Sequence, residues 1–306
     1  MASLAALLRH FPPVDFAMGY GSGVFKQSGH DSSDSMVDLV LAVEDPVAWH
    51  TEQVARHPEH YSGLKHFGPA AIAYIQEELG AGVYYNTLAQ IPGTNQLMKY
   101  GVVRTSTLCD ELTGWNNLYL SGRMHKPVNI MASVPAVDAA SSTNLSHALH
   151  LAVLGLPETF TEEQLFMKIA GISYWGDFRM TFGENPKKVR NIVAGNLRGF
   201  QAVYANKIQT SPFLQRGPTG LTADTTPAAR EAMLGSLPAN VTGRMTAKHK
   251  RATVAALNGK KVKAAVSSIV RTSSRTQSIK GILTAGGVKT VQYIWQKLSR
   301  TYLRKK

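Results

Sequence analysis

Two features in the first forty residues have the makings of a phosphate site. Gly21-Ser22-Gly23 is a turn whose small residues let backbone N–H groups approach an anion closely. Thirteen residues separate Ser22 from Met36-Val37-Asp38-Leu39-Val40, which reads as an apolar strand carrying one acid. A strand carboxylate beside a glycine turn is suited to holding a divalent cation against bound phosphates. The chemistry would be nucleotidyl transfer. The turn cradles a triphosphate, the carboxylate holds Mg²⁺, and the attacking oxygen is placed in line with the α-phosphorus.

The spacing fits nucleotidyltransferases of the polymerase-β type, in which Gly-Ser precedes an acid-apolar-acid strand. With Asp38 as the second acid, the first falls on Met36. Asp34, Glu44 and Asp45 are the nearby acids from which further metal ligands would come. On these residues alone a plain glycine-rich turn, with Asp38 as a helix cap or salt-bridge partner, accounts for the stretch as well.

The elements needed to position such a site follow from pattern. Strand signals at 36–43, 82–89 and 97–103 alternate with helical stretches at 46–62, which Pro58 must end or bend, at 68–79, closed by Gly80 and Gly82, and at 106–122. Strands and helices in alternation predict an α/β region around a small mixed sheet. Residues 131–146 are small and polar and read as a linker. Beyond them the chain reads as helical, with Thr161 and Gln164 forming a capping-box signature. Residues 209–245, rich in Pro, Thr and Gly, read as loosely ordered. The division expected is 1–130, a linker at 131–146, a helical region at 147–245 and a basic C-terminal region at 246–306.

The charge is lopsided. Of 33 Lys and Arg, 16 lie from Arg244 onward, where no Asp or Glu occurs, leaving 17 basic against 20 acidic residues before that point. This predicts contact with a polyanion or an anionic membrane through the C-terminal quarter. In the last 19 residues Val288, Val291, Ile294, Trp295, Leu298 and Tyr302 share one helical face, and Lys289, Lys297, Arg300 and Arg304 the other. That is a basic amphipathic helix of the kind that lies in a membrane interface; a helix docked on the domain with solvated lysines is the competing explanation. No run of apolar residues is long enough to span a bilayer. The single cysteine, Cys109, excludes an internal disulfide framework and any cysteine-rich metal site. The opening stretch, basic and free of acids until Asp15, reads as a transit-peptide remnant or as an ordinary helical turn.

Eight blocks in order resemble the mitochondrial translocator assembly and maintenance proteins, the mitochondrial CDP-diacylglycerol synthases. They are GYGSGVFKQ, MVDLVLAVEDPVAWH, HYSGLKHFGP, GAGVYYNT, LMKYGVV, WNNLYLSGRMHKPV, IAGISYWGDFRMTFGENPKKVRNIV and SSIVRTSSRTQSIKGILTAGGVKTVQYIWQKL. In that family Met-apolar-Asp in place of acid-apolar-acid is usual, and the match lapses over 209–262. The resemblance implies a polymerase-β-type nucleotidyltransferase domain with a small mixed sheet, then a helical winged-helix-like domain and a basic amphipathic C-terminal helix. It implies transfer of CMP from CTP to phosphatidic acid, giving CDP-diacylglycerol and pyrophosphate for cardiolipin and phosphatidylglycerol synthesis. Mg²⁺ is the implied cofactor. The implied place is the matrix side of the mitochondrial inner membrane, peripherally bound, with no nucleic acid partner.

On that resemblance Gly21, Ser22 and Gly23 take the CTP phosphates and Asp38 the Mg²⁺. Lys99 and Tyr100 face the triphosphate or the lipid phosphate, or Lys99 is a solvated strand end; Arg123 and Lys126 clamp the phosphate of phosphatidic acid or pair with the C-terminal dipole of the preceding helix. Asp177 and Arg179 form a cleft pair or a structural ion pair, and Arg271, Arg275 and Lys280 meet headgroups or phosphates or form a solvated basic face. Trp49 and His50 read as packing, and His147 and His150, three apart on a helix, lack a further zinc ligand set. Two other functions stay in play: a nucleotidyltransferase acting on RNA, and a non-catalytic membrane scaffold supporting protein import.

Overall fold

The computed structural model describes residues 4–25, 36–91, 93–94, 96–182, 185–218, 220–246 and 259–285. Asp34 and the amphipathic stretch 288–306 lie outside the described residues.

The first region is built on a five-stranded sheet in the order β3-β4-β2-β1-β5. Its strands are β1 (Phe16–Tyr20), β2 (Val37–Val43), β3 (Val83–Gln90), β4 (Leu97–Arg104) and β5 (Asn129–Ala132). β2 and β4 pair in parallel and the other neighbours antiparallel, so the sheet is mixed. Parallel pairing needs a crossover, and α1 (Pro46–Arg56) and α2 (Pro69–Glu78) lie in it together with β3. β2 is central and buried on both faces, which explains its unbroken apolar run after Asp38. Val40 and Ala42 join one core with Phe16, Met18, Val83, Tyr85 and Val103. Leu39, Leu41 and Val43 join another with Trp49, Met98, Tyr100 and Val102.

On the Val40 face lie α3 (Thr105–Gly114), the short α4 (Ser121–Met124) and the start of α5 (Pro135–Leu154). The single helix expected over 106–122 is broken because Trp115 takes a left-handed conformation, φ 51°. Its indole Nε1 donates to Asn144 Oδ1 at 2.7 Å, which holds the reversal against α5.

Residues 135–146 are not a linker but the first half of α5. Val137 and Ala140 pack in the sheet's core, and Ala148 to Leu154 pack in a second core. A helix buried against two partners in turn has no polar stripe to betray it. The second core gathers α6 (Glu162–Gly171), α8 (Lys188–Gly195), α9 (Leu197–Gln209), α10 (Pro227–Gly235) and α11 (Ala239–Thr246), with the short α7 (Arg179–Phe182) between α6 and α8 in the chain. A three-stranded antiparallel sheet, β6 (Thr159–Phe160), β8 (Gly220–Ala223) and β7 (Leu214–Gly217), sits beside them. Residues 209–245, read as loose, therefore hold two strands and two helices. The Thr161–Gln164 capping box forms as expected.

The last described helix, α12 (Gly259–Ala285), starts in the second core through Val262, Val266 and Ile269 and returns to the first region. There Gln277 Oε1 accepts from Ala81 N at 2.9 Å, and Lys280 Nζ donates to the carbonyls of Gln76 and Leu79 at 2.9 and 2.6 Å. The ammonium thus satisfies carbonyls at the C-terminal end of α2.

Candidate active site

Asp38 opens β2, directly opposite Tyr20 at the end of β1 and beside Lys99 on β4. The glycine turn follows β1 at once, so antiparallel pairing carries it back over the start of β2. Gly21 has φ +79°, which disfavours any side chain, and a Cβ placed there would lie 3.2 Å from Asp38 Oδ2. A Cβ on Gly23 would lie 2.2 Å from the carbonyl oxygen of Met36. Both glycines are required for the turn to lie against the Asp38 carboxylate.

Cations surround this acid. Burial pushes the Asp38 carboxyl up, and Lys99, Arg123 and Lys188 oppose that shift. Lys99, half-buried, sits 4.5 Å over the Tyr85 ring. Arg123 on α4 packs 3.9 Å over Tyr119 and 5.3 Å from Tyr20, and donates to the Tyr119 carbonyl. Burial works against its charge, but the oxygens of Tyr119, Tyr85 and Tyr20 hold it protonated above the ordinary arginine range. Tyr20 and Tyr85 bring their hydroxyls to 3.5 Å from each other.

The second region supplies the far wall. Lys126 donates to Ser173 Oγ at 2.9 Å and to the Gly122 carbonyl, and lies 5.3 Å over Tyr174. Lys188, at the start of α8, lies 5.5 Å over the same ring. Burial, with Arg123 and Lys188 nearby, lowers the Lys126 ammonium to about 7. Asp177 is 4% exposed and pairs with Arg179 by contacts of 2.6 to 3.1 Å. It also accepts from the Arg179 backbone N–H at 3.0 Å, so it caps the short α7. Arg179 in turn acts electrostatically on Tyr119, which puts the pair at the rim of the cluster.

Gly21, Gly23, Asp38, Lys99, Arg123 and Lys126 are therefore brought together, with Ser22 in the same turn. Tyr100 is not. Strand alternation turns it to the opposite face of the sheet, where it is fully buried against Phe11 and Trp49. Glu44 and Asp45 stand at the other end of β2, about 20 Å along the strand from Asp38, and Asp45 is spent capping α1 through Val47 and Ala48. On α12, Lys280 is buried against the end of α2, while Arg271 and Arg275 are exposed. Lys188, Tyr20, Tyr85, Tyr119 and Tyr174 escaped sequence reasoning. Each lies in one of the resembling blocks, but none has a spacing that singles it out.

A carboxylate at a glycine turn, with Lys99, Arg123 and Lys188 acting on it, is suited to a polyanion. Comparison with known proteins agrees. The sequence pattern of the family described as "Phosphatidate cytidylyltransferase, mitochondrial" matches residues 4–300. The chain belongs to that family. It is 41% identical over 312 residues to the mitochondrial phosphatidate cytidylyltransferase of Danio rerio, an alignment covering 95% of this chain and 92% of that one. The Xenopus laevis protein of the same name is 42% identical over 313 residues, with the same coverage. The Schizosaccharomyces pombe protein of that name is 34% identical over 337 residues, covering 99% of this chain and 84% of that one. Identity of this extent makes the chain an enzyme, a phosphatidate cytidylyltransferase.

The donor set suits Mg²⁺. This hard cation is held by one or two carboxylates plus substrate phosphates and water rather than by a full protein cage. A lone strand carboxylate beside a backbone cradle meets that description.

Proposed function

We propose that the enzyme transfers CMP from CTP to phosphatidic acid, releasing pyrophosphate and forming CDP-diacylglycerol in the Asp38 cleft. The observation that carries this reading is the packing of Gly21 against the Asp38 carboxylate inside a ring of Lys99, Arg123 and Lys188. The Gly21-Ser22-Gly23 turn receives the triphosphate. Lys99 and Lys188 neutralise phosphate charge, and Arg123, oriented by Tyr20 and Tyr119, binds the phosphate of the lipid. Lys126, held by Ser173, joins the two regions at the phosphate and gains its proton as the anion arrives. Asp177 keeps Arg179 aimed at the rim. Mg²⁺ on Asp38 would neutralise the leaving pyrophosphate and polarise the α-phosphorus. The nucleophile is already a phosphate anion, so the chain needs no strong base and positioning dominates. The polymerase-β-type fold with a winged-helix-like second domain is the architecture we assign to this chemistry.

The substrate lies in a bilayer, and none of the described helices is long and apolar enough to cross a membrane. We place the enzyme peripherally on the matrix side of the mitochondrial inner membrane, where its product feeds phosphatidylglycerol and cardiolipin synthesis. α12 supports surface contact. Its last turns expose Ile279, Ile282 and Leu283, each more than half accessible, in line with exposed Arg271 and Arg275. An apolar patch beside basic residues suits an anionic lipid surface.

The test is incubation with Mg²⁺, labelled CTP and phosphatidic acid vesicles, with ATP, GTP and UTP as controls. A lipid-linked cytidine product is expected from CTP alone. Absence of any such product would overturn the reading.

A further inference from the structure

On the sheet face away from Asp38, the chain His57-Pro58-Glu59-His60 folds into a tight turn after α1. His57 caps α1, its backbone N–H donating to Gln53 O, and Pro58–His60 form one turn of 3-10 helix. The turn stacks the two imidazoles, with centroids 4.7 Å apart and planes 9° from parallel. Both face the same carboxylate. His57 Nδ1 lies 3.1 Å from Glu59 Oε1, and His60 Nε2 lies 3.6 Å from it. Ligand atoms around a tetrahedral ion with bonds of 2.0–2.1 Å stand about 3.3 Å apart. The two observed separations bracket that edge, and one donor atom from each of the three residues lies within 4.8 Å of the others.

The surroundings of His60 say more than the distances. Its ring is almost wholly buried, and Nδ1 is 3.1 Å from the Tyr100 hydroxyl. Gln53 Nε2 donates to that same oxygen at 3.2 Å. Asn86 also hydrogen-bonds Tyr100. The Tyr100 hydroxyl thus holds the His60 ring at Nδ1, while Nε2 faces the Glu59 carboxylate. Orientation of a histidine by a hydrogen bond from its second nitrogen is the usual support behind a metal ligand.

We propose that His57, Glu59 and His60 bind a divalent transition metal of the zinc type, at a site separate from the Asp38 centre. Two imidazoles and one carboxylate are a borderline-soft set that suits zinc and not Mg²⁺. His57 is 22% and Glu59 64% exposed at the side chain, so the ion enters from solvent and keeps a position open for water. Two cations border the site. Lys65 Nζ rests on the Pro58 carbonyl at 3.0 Å, and Arg56 is paired with Glu52. His10 feels the charge of His57 from the other side. The bound ion would pin the end of α1 to β4 through His60 and Tyr100.

The test uses the untagged full chain, stripped with chelator and titrated calorimetrically with zinc in excess Mg²⁺, then with cobalt for its visible spectrum. One zinc per chain is expected in the wild type and in Asp38→Ala. His57→Ala and Glu59→Gln, which alter partly exposed side chains, should weaken zinc about tenfold or more and abolish the tetrahedral cobalt absorption. Circular dichroism of the metal-free variants checks that they are folded. No zinc bound, zinc bound equally by both folded variants, or zinc lost in Asp38→Ala would each overturn the proposal.

Discussion

The two faces of the five-stranded sheet put similar residue types to opposite uses. On one face Asp38, Lys99, Arg123 and Lys126 crowd together, and tyrosine rings pack against the cations. On the other, His50, Gln53, His60, Tyr61, Gln76 and Tyr100 are closed into a hydrogen-bonded layer, with His50 bridging Tyr61 Oη at 2.7 Å and Gln76 Oε1 at 3.0 Å. Lys99 and Tyr100 are consecutive, yet they belong to different worlds because strand side chains alternate. The comparison teaches that one strand can turn a charged group to one layer and a neutral hydrogen-bonding group to the other.

Breaking the charged face should give the largest effect. Asp38→Ala is expected to lower turnover of labelled CTP about a thousandfold or more, the loss of several kcal/mol of charge stabilisation, while the thermal midpoint holds or rises. A drop in midpoint with turnover intact would put Asp38 in the framework instead.

The next contrast is in pH. Lys126, lowered to about 7 by burial, is neutral above that pH in the free enzyme and must take up a proton to meet an anion. Affinity for CTP or phosphatidate should therefore fall as pH rises above 7, by up to about tenfold per unit. Lys126→Met should remove this component, which parallel binding titrations at several pH values would reveal.

The uncharged face should respond in stability and not in rate. Tyr100→Phe strands Gln53 and His60 and is expected to cost about 1–2 kcal/mol in denaturant titration, with turnover nearly unchanged. A large loss of turnover at full stability would erase the distinction between the faces.

Glu111 offers the smallest effect. Burial pushes its carboxyl up to about 7, against hydrogen bonds from Ser121 Oγ at 2.7 Å and Asn117 N at 3.0 Å. A raised folded-state value favours the protonated acid, so its contribution is full below the unfolded value and is lost as pH rises through 7. Glu111→Gln should stabilise the protein at pH 8 by roughly 1 kcal/mol or more relative to its effect at pH 4.

What the chain disclosed before folding follows a physical rule. Gly21 and Asp38 were legible because the turn and the acid sit on paired neighbouring strands, and β2 is apolar enough to be unmistakable. Lys99 followed from its place at the start of β4. Tyr100 was misread through neglect of alternation, a signal that was available. α5 was missed because its small residues face two different cores in succession, which erases the helical period. Lys188 and the four tyrosines come to Asp38 from distant segments, and no local pattern records such a meeting.

Lys280 and Leu79 touch across 201 positions of chain. A nascent polypeptide emerging from the ribosome must therefore wait for nearly its full length before α2 and the head of β3 can close. Until then the seat of Gln277 stands open as a hole in the finished half. A chain cut short before α12 would leave the Ala81 N–H and the carbonyls of Gln76 and Leu79 without these partners.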